Sequence, residues 1–276
     1  MPVRVLGAQI QFLKMKKYLF ALLVCVMAFA GCEQNYTMKF SNPQQQNFDD
    51  FLAQKRKETY QQNNDIQRKE FYAKFEKALY NYVDTCGLFV NWKGVISDIE
   101  TEESGKTTAL KFTITYKPEK YREVKFHCTH LIETKNLNSD YIYNMVKNMP
   151  NYMVVYFDGF IRTKNSGEVY YKYNFDKNLH IPYPDYEFWP IEIGPEERNN
   201  TLPTNLNKAV NICYDVVEPL RRNYLGEITK EQSDSLYNLV APKFKEAKSQ
   251  LTEEENGYIS RLTTALTYNY LYGGNN

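Results

Sequence analysis

LKFTITYKPEKYREVKFHCT, residues 110–129, alternates apolar and polar side chains twice over. Leu110, Phe112, Ile114 and Tyr116 interleave with Lys111, Thr113, Thr115 and Lys117; Val124, Phe126 and Cys128 interleave with Lys125, His127 and Thr129. A two-residue period puts one set on each face of a β-strand, so the stretch predicts two neighbouring strands, each with one buried face. The same period runs through Met153, Val155, Phe157, Gly159 and Ile161, and through Val169, Tyr171, Tyr173 and Phe175. Ahead of them FVNWKGVISDI, residues 89–99, supplies a first strand interrupted by Gly94, a mark of sharp bends in small barrels. Ser139 or Asp140 caps a short helix through Tyr141, Ile142, Met145 and Val146, which ends before Pro150.

Outside residues 88–176 the period changes. Phe71, Phe75, Leu79 and Tyr82 recur at three- and four-residue steps, predicting an N-terminal helical segment over 48–87, with Asn64 or Asp65 as a cap. Residues 204–276 carry two helical stripes, Leu206, Val210, Cys213, Val217, Leu220 and then Leu236, Leu239, Val240, Phe244; a last helix shows Ile259, Leu262 and Leu266. Thr229–Gln232 and Thr252–Glu255 fit the capping box. The connection 177–203 is rich in aromatics and proline, and its four prolines within 180–197 argue against regular structure there.

Strand, strand, strand, short helix, strand, strand, with Gly94 and Gly159 in strands one and four, resembles the OB-fold. The group it is most similar to is the one likened to tRNA-anticodon-binding domains, which includes exported bacterial proteins. The expected class is α+β: a five-stranded OB-like β-barrel with a helix between strands three and four, flanked by N-terminal and C-terminal helices. The resemblance implies a ligand face on strands two and three, carrying Lys111, Thr113, Thr115, Lys117, Lys125, His127 and Thr129.

Tyr18 to Gly31, YLFALLVCVMAFAG, is 14 uncharged residues behind Lys14, Lys16 and Lys17. That is the layout of a signal peptide over 1–31, and Met15 is an alternative start. A spanning helix needs about 20 apolar residues. Ala28-Phe29-Ala30-Gly31-Cys32 resembles the lipobox of bacterial lipoproteins, with Phe29 where leucine is usual. The resemblance implies cleavage before Cys32, lipidation of its thiol, and anchoring in the cell envelope facing the periplasm, with the outer membrane as the expected membrane. Residues 32–47 would then be the lipidated cysteine and a polar, flexible tether. Removing the four basic residues of 1–31 leaves 30 basic against 33 acidic residues, so the mature chain is acidic by three charges.

That charge disfavours a nucleic-acid partner, as does the shortage of stacking aromatics on the expected ligand face. Ser104-Gly105-Lys106-Thr107 holds the GKT of a phosphate loop, but Glu100 stands where the first glycine belongs and the segment joins two strands, so it reads as a hairpin turn. His127, Cys128 and His130 suggest a metal, yet a strand sends the two histidines to opposite faces. No cofactor, metal site or catalytic residue is expected. Cys86, Cys128 and Cys213 allow one disulfide in an oxidising compartment, or three buried thiols, the reading their apolar neighbours favour.

Tyr183, Tyr186, Phe188 and Trp189 are the candidate ligand-binding residues, since aromatics in an irregular loop stack on a sugar or peptide; the alternative is that they close the barrel against the C-terminal helices. The expected function is a membrane-anchored, non-enzymatic binding or scaffold lipoprotein whose partner is an envelope protein or small ligand. A carbohydrate-binding lipoprotein using loop 183–189, and an enzyme with a spatially assembled carboxylate site, stand as alternatives.

Overall fold

The computed structural model describes residues 38–119, 122–173 and 180–272. The expected signal peptide, the lipobox-like segment with Cys32, the start of the expected tether and Phe175 lie outside the described residues. Helices α1 (Pro43–Thr59) and α2 (Asp65–Cys86) lead into strands β1 (Phe89–Ser104), β2 (Thr107–Glu119) and β3 (Arg122–Glu133). A 3-10 turn (Thr134–Ser139) and the short α3 (Tyr141–Val146) precede β4 (Val154–Ile161) and β5 (Asp185–Gly194). Three helices follow: α4 (Thr204–Tyr224), α5 (Lys230–Ser249) and α6 (Glu253–Tyr272).

The five strands close into a barrel in the order β1-β2-β3-β5-β4, and β3 and β5 run parallel. The fold is the expected α+β class. Phe112, Ile114, Tyr116, Val124, Phe126 and Cys128 point inward, as the alternation requires. Burying each such side chain contributes about 1.5–3 kcal/mol, and the barrel interior is almost wholly aromatic and aliphatic. Gly159 is where β4 passes closest to β5: a Cβ there would lie 2.2 Å from the Trp189 carbonyl oxygen.

The fifth strand is a correction. Residues 169–171 make only isolated bridges, and the barrel closes through 185–194, inside the stretch expected to be irregular. Two physical causes hid it. Tyr186, Phe188 and Ile193 face the barrel while Trp189 and Ile191 face the C-terminal helices, so both sides are apolar and no alternation is visible. Pro190, which lacks an N–H, sits opposite Gly159 beside a register shift, a place where a ladder bond is already forgone.

The expected tether also proves shorter. From Met38 onward the chain is packed: Met38 donates to the Lys117 carbonyl (2.8 Å), and Asn42 caps α1. β1 carries a bulge at Asn91, φ 54°, which brings Phe89 and Trp92 to the same inner face, stacked 4.0 Å apart. A bulge leaves backbone groups unpaired, and three side-chain amides take them up. Asn42 donates to the Val90 and Asn91 carbonyls; Gln44 bonds the Leu88 carbonyl, the Val90 amide and the Trp92 indole; Gln45 bonds both amide and carbonyl of Lys93. Hydropathy does not register such amides.

Asp158 of β4 closes the same region from inside. Its wholly buried carboxylate accepts from the Asn91 amide (2.7 Å), from Arg198 twice (2.6 and 3.2 Å) and from the Tyr258 hydroxyl (3.0 Å). The Asn91 side chain answers by bonding the Arg198 amide and carbonyl. β1, β4, the chain after β5 and α6 are thereby joined.

The helical caps follow the sequence. Asn64 caps α2, and both capping boxes form, Thr229 with Gln232 and Thr252 with Glu255. Packing of the stripes is less complete: Leu206, Val210, Cys213 and Val217 are buried, but Leu220 and Leu239 are exposed. The three cysteines are free thiols, Cys86 half-buried and the others buried.

Asp158→Ala leaves a guanidinium, an amide and a hydroxyl without their acceptor and is expected to cost about 3 kcal/mol, whereas Tyr258→Phe costs about 1 kcal/mol; urea unfolding of the two variants measures both. A second prediction concerns Asp140, which caps α3 and faces His130. Burial alone would raise its carboxyl, but the His130 imidazole and the Tyr143 amide outweigh burial and hold the pKa below the ordinary value. Its contribution is therefore complete above the unfolded-state pKa of about 3.9 and is lost as pH falls through the folded-state value. Melting curves of wild type and Asp140→Asn should differ at neutral pH and converge on acidification; a gap that persists in acid would contradict this.

Candidate functional site

The outer face of β3 presents His127, Thr129 and Leu131; β5 beside it presents Glu187 and Trp189. Arg162, just past β4, and Tyr268 of α6 close the far side, leaving an open cleft of about 390 Å³. It lies on the face that an OB-like barrel uses for ligands. The segment 162–173 is stitched beside β5 by backbone bonds from Arg162 to Glu187, Glu187 to Tyr170 and Lys172 to Asp185. That stitching fixes where the Arg162 side chain emerges.

Every charge named here has an opposite within reach. Arg162 donates to Glu187 (2.6 Å), and its guanidinium lies 4.3 Å from the centre of the Tyr170 ring. The His127 Nε2 faces the Asp185 carboxylate, and its Nδ1 is 3.3 Å from the Thr113 hydroxyl. Asp, His and Thr in line resemble a proton relay, but Thr113 is buried on β2 and does not line the cleft, so its hydroxyl has no approach to a substrate there. The Trp189 indole stacks on Tyr268 at 6.2 Å; its Nε1 is buried without a hydrogen-bond partner. Donors, acceptors and aromatic edges therefore converge on a site with no net charge from its ion pairs, which suits binding of a polar ligand or a protein surface.

The expected ligand face is less basic than it reads. Lys111 pairs with Glu102, and Lys117 and Lys125 both pair with Glu123. Of the four aromatics proposed for the loop, only Tyr183 is exposed. Tyr186 and Phe188 fill the barrel, and Trp189 packs beneath the helices. Phe188 and Trp189 nevertheless both line the β3–β5 cleft, which neither Tyr183 nor Tyr186 reaches. The histidines are dispersed, each beside a carboxylate: His127 by Asp185, His130 by Asp140, His180 by Glu76. Among the described residues no three His, Cys, Asp or Glu side chains are grouped to hold a metal.

A second polar cluster escaped sequence reasoning. Glu192 accepts from the Tyr141 hydroxyl and from Arg261 (2.5 Å), and Arg261 also bonds the Ile191 carbonyl (2.7 Å). Burial pushes the Glu192 carboxyl above its usual value. It lines a cleft of about 600 Å³ with Arg198 and Tyr258. Glu192 and Asp158 are cross-strand partners, a pairing that depends on the unforeseen fifth strand. No protein-family model matches the chain, and no curated protein matches it.

Arg162→Ala tests whether the β3–β5 cleft is structural. Both members of the Arg162–Glu187 pair are partly exposed, so the loss is expected to be about 0.5–1 kcal/mol; a thermal shift corresponding to about 3 kcal/mol would make the pair a structural element instead.

Proposed function

We propose that the chain is the precursor of a lipid-anchored bacterial lipoprotein, held on the periplasmic side of an envelope membrane through Cys32, and that its folded part is a non-enzymatic binding module. The anchor is supported by the lysine cluster, the apolar run 18–31 and the lipobox-like Ala28–Cys32. No helix among the described residues is long and apolar enough to cross a membrane.

The binding reading is carried by one observation: the cleft on the outer side of β3 and β5, whose ionic groups are already matched to one another. A general acid or base must exchange protons with substrate, and here the carboxylates are committed to cationic or imidazole neighbours. On the face of β2 and β3, Lys111, Lys117 and Lys125 are matched to glutamates, which weakens that face as a binder of a nucleic-acid backbone. The partner that fits is an envelope protein or small polar ligand bringing its own paired donors and acceptors.

Metabolic labelling with an alkyne fatty acid is expected to tag the wild-type chain and send it to the membrane fraction, with both lost in Cys32→Ser. An unlabelled wild type would refute the anchor. For the cleft, chemical cross-linking in intact cells should give a discrete adduct that disappears in Glu187→Lys and persists in a distant surface variant, Lys57→Glu. An adduct unchanged by Glu187→Lys would remove the cleft from the function.

A further inference from the structure

A different cleft, of about 370 Å³, opens where α2, the chain after β4, α4 and α6 meet. Arg162 and Tyr268 line the β3–β5 cleft, whereas their neighbours Thr163 and Asn269 line this one, so the two are separate sites. Three helices each contribute a stripe. Tyr80 and Asp84 come from α2 and Gly87 from its C-cap, Tyr214, Glu218 and Arg221 from α4, and Asn269 with Tyr270 from α6. Spacings of three, four and seven place the first two sets each on one helix face, and on α6 Leu266 stands three and four residues before Asn269 and Tyr270. Helices that pack together normally bury apolar side chains on such a face, and here the facing positions are tyrosines and charges, with only Val83, Phe160, Ile161 and Leu266 apolar at the base.

The lining chemistry is specific. Arg221 makes two bonds of 2.7 Å to Glu218, and its guanidinium lies 5.9 Å from the centre of the Tyr270 ring. Asp84 has no ion pair among the described residues. The Tyr214 hydroxyl is buried and has no hydrogen-bond partner. Gly87, φ +59°, lies beside it: a Cβ at position 87 would be 3.4 Å from that hydroxyl, in ordinary contact. A buried hydroxyl without a partner is unfavourable, and a ligand hydroxyl seated in the cleft would satisfy it.

We propose that this tyrosine-lined cleft binds a neutral polyhydroxylated ligand, a single sugar ring. Tyrosine rings offer flat apolar surface to the C–H face of a sugar and a polar tip to its hydroxyls. Asp84 and Glu218 accept hydrogen bonds from its hydroxyls, and the unpartnered Tyr214 hydroxyl completes the set. An anion such as phosphate meets two carboxylates, a guanidinium already bonded on two sides, and a Lys164 ammonium already bonded to Glu168 (3.0 Å). An organic ammonium ion meets Arg221 already placed as the cation over Tyr270. The volume matches small-ligand sites, and the proposal stands independently of the β3–β5 cleft.

Saturation-transfer NMR on the detergent-solubilised full chain, with glucose, galactose, mannose and N-acetylglucosamine as probes, tests it. Transfer to the ring protons of at least one sugar is expected, with affinity weakened roughly tenfold in Tyr80→Ala and in Tyr214→Phe. Tyr80 is half-exposed and Tyr214→Phe keeps the ring, so melting temperature should barely move. Three outcomes would overturn the proposal: no transfer to any of the four sugars, binding unchanged in both variants, or binding of only phosphate or choline when these are substituted as probes.

Discussion

A carboxylate with no exposure to water organises this fold. Asp158 gathers an amide from β1, a guanidinium from the chain after the barrel and a hydroxyl from α6, and it stands on β4 itself. Desolvating such a group costs several kcal/mol, so it is tolerable only where its donors arrive together. That requirement couples parts of the chain more than 100 residues apart in sequence, Asn91 and Arg198 among them. The bulge at Asn91 is the second half of the same arrangement, since the residue that donates to Asp158 also offers its side chain to Arg198. Asn42, Gln44 and Gln45 then seal the bulge from outside, which is why the N-terminal helix begins where it does.

What was legible in the sequence was whatever one element determines by itself. Lys111 through Thr129 alternate because one face is buried and the other wet, and β2 and β3 lie where that pattern puts them. Thr229 and Gln232 cap a helix through local hydrogen bonds and need no tertiary context. β5 was not legible because burial on both faces removes the period, and because Pro190 is harmless only opposite a register shift that no single strand reveals. The amides of Asn42, Gln44 and Gln45 looked like tether for the same reason: a polar side chain does not announce that its partner is a distant backbone.

The functional surfaces divide in the same way. His127 and the lysines of β2 and β3 were visible as an outward face, but the glutamates that match them come from a hairpin arm and a strand end. Arg162 and Glu187 meet only because residues 162–173 are laced beside β5. The tyrosine cleft needs three helices at once, and each of its stripes alone resembles an ordinary mixed helical face. Among the aromatics of 183–189, adjacency in sequence does not give a shared direction: on β5, Tyr186 and Phe188 pack in the barrel and Trp189 packs with the C-terminal helices, because a strand sends neighbours to opposite sides.

The early start of the packed chain at Met38 bears on where the molecule can act. Six peptide links separate it from Cys32, and fully extended they reach about 20 Å. With the lipid placed on Cys32, as proposed, the barrel is on a short leash and samples a thin layer of solution next to the bilayer. Confinement of that kind raises the local concentration of anything sharing the layer and lowers it for anything that does not. A protein anchored in that way would meet its partners in two dimensions, and those beyond the leash would have to come to it.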